Sequence, residues 1–264
     1  MSIEYSSINS GSNGNCYYIG NANEAVFIDA GIHCSEIEKR MERLCIPMQK
    51  IKAVFITHEH TDHIRGVYRL SKKYGLPVYL TAGTLSRSFF DLRETNTICI
   101  SPNETVEIGN LKITAFSKSH DAADPVSFSV EHQQTRISII TDIGYACENV
   151  KTHFNGSHAV ILEANYDDNL IANSSYPAKL KNRIKSTNGH LSNADALDLF
   201  KNFRHNNLSH LLLGHVSKEN NEAETILNLF QPHCGSTVVE IAPRYRESEL
   251  FFVDTTSFSV LKSG

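Results

Sequence analysis

The stretch Val54–Gly66 reads VFITHEHTDHIRG. With Ala53 before it, its first part is apolar on both faces, as a central strand covered on both sides should be. The apolar run stops abruptly. The six residues from His58 to His63 then carry three histidines and two acids. His58 and His60 are two apart, so in an extended segment their side chains project the same way. Asp62 and His63 fall at the turn that follows, and four metal-competent side chains can converge from one strand end. Gathered without a cation, they would suffer desolvation and mutual repulsion. A metal ion removes both costs. The competing reading is a polar strand-to-helix turn in which Thr61 or Asp62 merely caps the next helix.

The spacing separates this motif from two neighbours. H-E-x-x-H would need a histidine where Asp62 stands, and the flavodiiron pattern H-x-E-x-D-H would need a glutamate where His60 stands. What remains is H-x-H-x-D-H. Further donors follow other apolar runs: His120 after Leu111–Phe116, Asp142 after Arg136–Ile140 and His215 after Leu208–Leu213. Asp142 suits a carboxylate bridging two cations. His210 also lies in the last of these runs but at its start, away from the expected site.

The surrounding pattern alternates strands and helices. Strands are predicted at 3–8, 16–19, 25–28, 52–57, 97–100, 105–108, 111–116, 126–131, 136–141, 160–163, 208–213, 237–240 and 250–253. Helices are predicted at 35–44, with Ser35 and Glu38 as a capping box, and at 64–74, 177–185, 194–204 and 219–230. Ile108–Asn110 and His132–Thr135 read as hairpin turns. Both halves mix strands and helices around an antiparallel middle. This predicts an α/β fold of two sheets with helices outside, a four-layered αββα sandwich formed as one domain over residues 1–264.

Composition narrows the function class. The chain has 264 residues, a net charge of −4 and a hydrophobic fraction of 41%. At this length one continuous core is feasible, burying roughly 70–75% of the unfolded surface. The charge argues against binding nucleic acid through bulk positive potential, although not against a local basic patch. The N-terminal residues are polar and show no signal peptide, and no apolar run approaches the roughly 20 residues of a membrane span. Six scattered cysteines form no C-x-x-C pair. A reduced cytoplasm, no membrane partner and no obligate protein partner are the expectations.

The donor pattern resembles the metallo-β-lactamase fold superfamily along nearly the whole chain. The resemblance implies that His58, His60 and His120 hold one divalent metal ion and Asp62, His63 and His215 a second, with Asp142 shared. Without thiolates, zinc, manganese and iron all suit the donors. Two ions about 3.5–4 Å apart polarise a phosphoryl oxygen and lower the pKa of water from ~15.7 to ~7. That lowers the cost of deprotonation by about 12 kcal/mol.

Other segments bear on substrate. GHLSNADAL (189–197) resembles a motif of ribonuclease Z relatives, which implies that His190 assists proton transfer. SGSNGNCYYI (10–19), SHDAADPVSF (119–128), LEANYD (162–167), GHVSKENN (214–221) and IAPR (241–244) resemble the YycJ-type group, also called WalJ. That group is associated with 5′-to-3′ exonuclease activity on DNA. Tyr166 departs from the histidine expected there, and Val216 from the usual leucine. The chain lacks room for the inserted clasping domain of longer processing nucleases and shows no flexible arm of the ribonuclease Z kind.

The candidate catalytic residues are therefore Asp62, His190 and Glu163, the last orienting His190. Candidate phosphate or substrate contacts are Ser12 and Asn15 in the small-residue loop 10–15, Asn165, Ser192, Asn193 and Arg244. Loop 10–15 could turn N–H groups toward an anion, or be a plain turn. Lys179, Lys181, Arg183 and Lys185 form two basic helix stripes, which read as a backbone-binding track or a solvated face. A dinuclear phosphodiesterase acting on nucleic acid leads. A thioester or lactam hydrolase and a non-catalytic metal-bound scaffold are the competing classes.

Overall fold

The computed structural model describes residues 2–88, 95–254 and 260–262. Six strands come first: β1 (Ile3–Asn9), β2 (Cys16–Gly20), β3 (Ala25–Ile28), β4 (Ile51–Phe55), β5 (Val78–Leu80) and β6 (Thr97–Cys99). Seven more follow: β7 (Thr105–Ile108), β8 (Leu111–Ser117), β9 (Val126–His132), β10 (Thr135–Ile140), β11 (Ala159–Glu163), β12 (His210–Gly214) and β13 (Val238–Ile241). The last two, β14 (Phe251–Val253) and β15 (Val260–Lys262), return to the first group. The first sheet runs β15-β14-β1-β2-β3-β4-β5-β6 and the second β13-β12-β11-β10-β9-β8-β7.

The period of two along each strand sorts side chains between layers. Val26, Ile28 and Phe55 of the first sheet share a core with Phe128, Ile139 and Ile161 of the second, so the sheets pack face to face. The alternate residues Ala25, Phe27 and Val54 face α1 (Cys34–Arg43) and α3 (Val67–Tyr74) through Ile37, Met41, Val67 and Leu70. On the far side, Val160, Leu162, Leu211 and Leu213 pack on α5 (Glu148–Asn155), α8 (Asn193–Phe203) and α9 (Ala223–Phe230), while α4 (Ala82–Arg87), α6 (Asp168–Asn173) and α7 (Ala178–Ile184) are shorter helices. These layers make the αββα sandwich. No described helix is long and apolar enough to cross a membrane.

Strands β3 to β6 run parallel, as do β10 to β13. β8 is antiparallel to β9, which is antiparallel to β10, so β8 runs with β10. The C-terminal ends of β4, β8, β10, β11 and β12 all carry predicted site residues. Parallel strands present such ends along one edge, where α/β sheets bind their ligands.

Three local expectations need correction. Helix α1 starts at Cys34 after an extended His33 with no side-chain cap. Glu38 instead accepts from Lys73 and Tyr74, so no capping box forms. The helix expected at 64–74 is broken into α2 (Thr61–Ile64) and α3. Gly66 causes the break: its N–H bonds the Ala30 carbonyl at 2.7 Å, and a Cβ there would stand 2.1 Å from the Ile32 oxygen. Helix α9 also begins later than expected, at Ala223. Both hairpin turns are present, with Gly109 and Gln133 at positive φ.

Candidate active site

β4 leads through Ile56 and Thr57 to a fully buried His58. His60 is extended at the N-terminus of α2, whose first turn carries Asp62 and His63. The turn packs tightly on the chain after β3: a Cβ at Gly31 would lie 1.6 Å from the Asp62 carbonyl oxygen, so only glycine fits. From the second sheet, β8 leads to His120, β10 to Asp142 and β12 to His215, while β11 itself ends in Glu163. Asp29, Asp142 and His215 all adopt left-handed backbone, with φ of 60°, 56° and 51°. Such residues cost about 1–3 kcal/mol each and cluster at functional sites. Here each sharp turn immediately after a strand aims a side chain into the seam between the sheets.

The donors meet there. His58, His60 and His120 form one group and His58, His63 and Asp142 another, each able to present ligand atoms within 4.8 Å of one another. His58 Nε2 is 3.0 Å from His60 Nδ1. Asp142 lies between the two sides, with Oδ1 3.9 Å from His120 Nε2 and Oδ2 3.4 Å from His63 Nε2. Asp62 Oδ2 is 3.7 Å from His63 Nε2 and 4.0 Å from His215 Nε2.

Hydrogen bonds behind the rings set their tautomers. His63 Nδ1 donates to Asp29 at 2.7 Å. Thr57 Oγ1 donates to Asp29 at 2.8 Å and accepts from His58 Nδ1 at 2.9 Å. His120 Nδ1 donates to the Gly189 carbonyl at 3.0 Å. His215 Nδ1 and His190 Nδ1 both donate to Glu163 Oε1 at 2.8 Å. His58, His63, His120 and His215 thus turn Nε2 into the seam, held by the kind of outer hydrogen bond that orients metal-binding histidines. Among these atoms, His120 Nε2, His215 Nε2 and Asp142 Oδ2 are buried without a hydrogen-bond partner. Buried polar atoms are rarely left so, and divalent-metal binding at the cluster would satisfy them. Asp29→Asn is expected to weaken zinc affinity about 10- to 100-fold, measured by competition with a chromogenic chelator. Unchanged affinity would refute the role given to Asp29.

Burial and neighbouring charges shift these groups in opposite directions. Burial, together with the neighbouring His63 and Lys118 charges, holds His58 well below the usual imidazole range. Burial likewise pushes His120 down to about 4 against the pull of Asp142. At His215, burial is outweighed by the carboxylates of Asp142 and Glu163, which raise it to about 9. His63 is also raised, because Asp142, Asp29 and Asp62 overcome its burial. Burial would raise the Glu163 carboxyl, but the His190 charge and the hydrogen bonds from both rings bring it down to about 2. Asp142 is held well below the carboxylate range by His215, His63 and Lys118 despite full burial.

The remaining candidates take supporting positions. Asn15 is buried, with its amide 3.1 Å from His63 Nε2 and 3.5 Å from Asp62, and its N–H bonds the Asp62 carbonyl at 2.7 Å. The N–H groups of Gly11, Gly14 and Asn15 are engaged within the protein, that of Asn15 bracing Asp62, so these three do not face an anion. Ser12 is exposed at its tip. Asn165 donates to the His215 carbonyl at 2.7 Å. Ser192 caps α8 through the Asp195 N–H, and Asn193 pairs with Asn221 in the interior. Arg244 Nη1 donates to the Val216 carbonyl at 2.8 Å. The basic track is largely engaged too: Arg183 pairs with Asp121 at 2.6 Å, Lys185 with Asp168 at 2.8 Å, and Lys181 bonds the Ala172 carbonyl. His210 lies away from the cluster, against Tyr5 and Glu240.

Sequence reasoning missed Asp29, Thr57 and Lys118. Asp29 follows an apolar strand as Asp142 does, and the same rule would have found it. Lys118 is buried, and its ammonium donates to the Thr141 carbonyl at 2.8 Å, beside Asp142. No spacing marks it.

Residues 25–215 match the family described as "Beta-lactamase superfamily domain". The chain belongs to the metallo-β-lactamase superfamily. Within it, the chain is 30% identical over 227 residues to exodeoxyribonuclease YycJ of Bacillus anthracis, a match covering 85% of this chain and 86% of that one. It is 31% identical over 229 residues to exodeoxyribonuclease WalJ of Streptococcus pneumoniae, covering 85% of each. Among solved structures, the metallo-β-lactamase fold protein YhfI of Bacillus subtilis superposes with a TM-score of 0.73 at 16% identity, over 96% of this chain and 100% of that one. With this fold and this donor cluster, the superfamily member described here is a metal-dependent hydrolase with a divalent-metal site.

Proposed function

We propose that the chain is a dinuclear nuclease that hydrolyses phosphodiester bonds of DNA from the 5′ end. One observation carries the mechanism: the buried Glu163 carboxylate binds His190 and His215 through the same oxygen, beside Asp142. The nucleic-acid substrate is supported by the names of the two relatives, which match at 30% and 31% identity over most of both chains.

His58, His60 and His120 would hold one cation and Asp62, His63 and His215 the other, with Asp142 shared. When bound, the pair supplies Lewis acidity at the phosphoryl oxygens and a water of lowered pKa. The nitrogen and oxygen donors suit zinc, manganese or iron. The protein's own part is to position and to move a proton. Glu163 accepts a hydrogen bond from His190 Nδ1, which leaves Nε2 as the ring's second proton-carrying atom. His190 is partly open to solvent, at 21% of its side chain. From Nε2 it would protonate the departing sugar oxygen, and the fixed Glu163 charge stabilises the imidazolium before transfer. Asp62, braced by Asn15, serves as both ligand and catalytic carboxylate.

The test is incubation with manganese or zinc of 5′- and 3′-labelled single- and double-stranded DNA and RNA, alongside a thioester and a lactam. Mononucleotide release from the 5′ end of DNA is expected, abolished in His58→Ala. Turnover of the thioester or lactam with every strand left intact would replace the nuclease reading by a small-molecule hydrolase.

A further inference from the structure

Among the described residues, the aromatic side chains in exposed positions are Tyr145 and Tyr245, at 48% and 67% exposure. The other described aromatics are buried or half-buried. Single exposed tyrosines are ordinary, but these two are tied to different donors of the cluster, Tyr145 through the residue beside His120 and Tyr245 through the residue beside His215. Tyr145 stands three residues after Asp142. Its loop is held at Gly144, whose N–H bonds the Ser119 carbonyl at 2.8 Å, and Ser119 in turn bonds the Thr187 carbonyl and Asn188. Tyr145 therefore rises from the wall that carries His120 and His190.

Tyr245 belongs to the other wall. Its carbonyl accepts from the buried Arg40 at 3.2 Å, which pins the backbone. The Arg244 guanidinium, 6.0 Å from the Tyr245 ring centroid, bonds the carbonyl of Val216, next to His215. Arg65 holds the Asn13 carbonyl of the adjoining loop, and Arg246 is exposed beside Tyr245. An acidic protein thus places an open aromatic face beside Arg244, with Arg246 next in the chain and Arg65 on the adjoining loop. A face of that kind complements a strand that carries both phosphates and bases. Bases stack on exposed aromatics regardless of their identity, while arginines follow the backbone.

We propose that Tyr145 and Tyr245 are stacking platforms for single-stranded nucleic acid, each taking one base on either side of the phosphodiester held at the donor cluster. The proposal rests on the nuclease reading and adds that the substrate is bound unpaired. A duplex keeps its bases stacked inward and offers neither platform a face, so a duplex end must fray before it is cut.

The test uses the full chain and fluorescein-labelled phosphorothioate strands of DNA and of RNA, each with a single abasic position moved along the strand. Tyr145→Ala and Tyr245→Ala are each expected to weaken strand binding about 5- to 100-fold, with Tyr→Trp at either position restoring it. Wild-type protein should lose affinity at two abasic positions, and each alanine variant should become insensitive to one of them, a different one in each case. Zinc content and thermal midpoint serve as folding controls. Binding of both alanine variants within about 2-fold of wild type, or an unchanged abasic profile, overturns the stacking proposal alone, provided wild type still cuts strands. If wild type neither binds nor cuts any strand, the nuclease reading falls with it.

Discussion

Asp142→Ala is expected to lower kcat/KM by at least about 10³-fold and to leave the protein with less than half of its native metal. Asp142 is 2% exposed and stands within 4 Å of His63, His120 and His215. Its charge is the shared counter-ion of both sides of the cluster, so no single remaining side chain can replace it. Removing one partner from a buried charged group costs about 3–5 kcal/mol, and here His63 and His215 would each lose one carboxylate while keeping Asp29 and Glu163 respectively. Asp142→Asn separates charge from shape, because asparagine tolerates the left-handed backbone and keeps the volume. It should fold as wild type while sharing the loss of activity. Metal content by mass spectrometry and cleavage of a labelled strand read the two effects. Full metal content with activity within tenfold of wild type would remove Asp142 from the centre of the mechanism.

Glu163→Gln is expected to reduce kcat by about 10²- to 10³-fold, within the range assigned to proton transfer by a positioned side chain. Glu163 is fully buried and uses both oxygens: Oε1 accepts from His190 and His215, and Oε2 accepts from the Ile143 and Leu191 N–H groups. Glutamine offers one acceptor oxygen and one amide nitrogen. Whichever way it turns, an N–H meets either two ring donors or two backbone donors. If the rings lose, His190 loses its tautomer and orientation, and the pH profile of kcat should change shape as well as height. A variant with the wild-type profile and kcat within threefold would show that Glu163 only packs.

The seven donors were legible because the rule behind them is local. An apolar strand ends, a donor follows, and parallel strands place such ends along one edge. The same rule applied to AVFID would have yielded Asp29. Pairing is where sequence reasoning stops. The spacing of Lys181, Arg183 and Lys185 marks a basic helix, but their partners Asp121, Asp168 and Ala172 lie elsewhere in the chain. Loop 10–15 is equally compatible with a cradle and a turn until the destination of its N–H groups is known. Helix α5 went unread because only Val150 and Phe154 of its eight residues are buried, too few for a period. The break at Gly66 depends on Ala30 and Ile32, which no helical pattern contains.

The donors are divided by origin: His58, His60, Asp62 and His63 follow a strand of the first sheet, whereas His120, Asp142 and His215 follow strands of the second. A cation shared between them would act as a bolt through both leaves of the sandwich. Any ligand that binds the folded state alone adds RT ln(1 + [L]/Kd) to its stability. Chelation would then remove that contribution, and resistance to proteolysis would rise and fall with the metal supply.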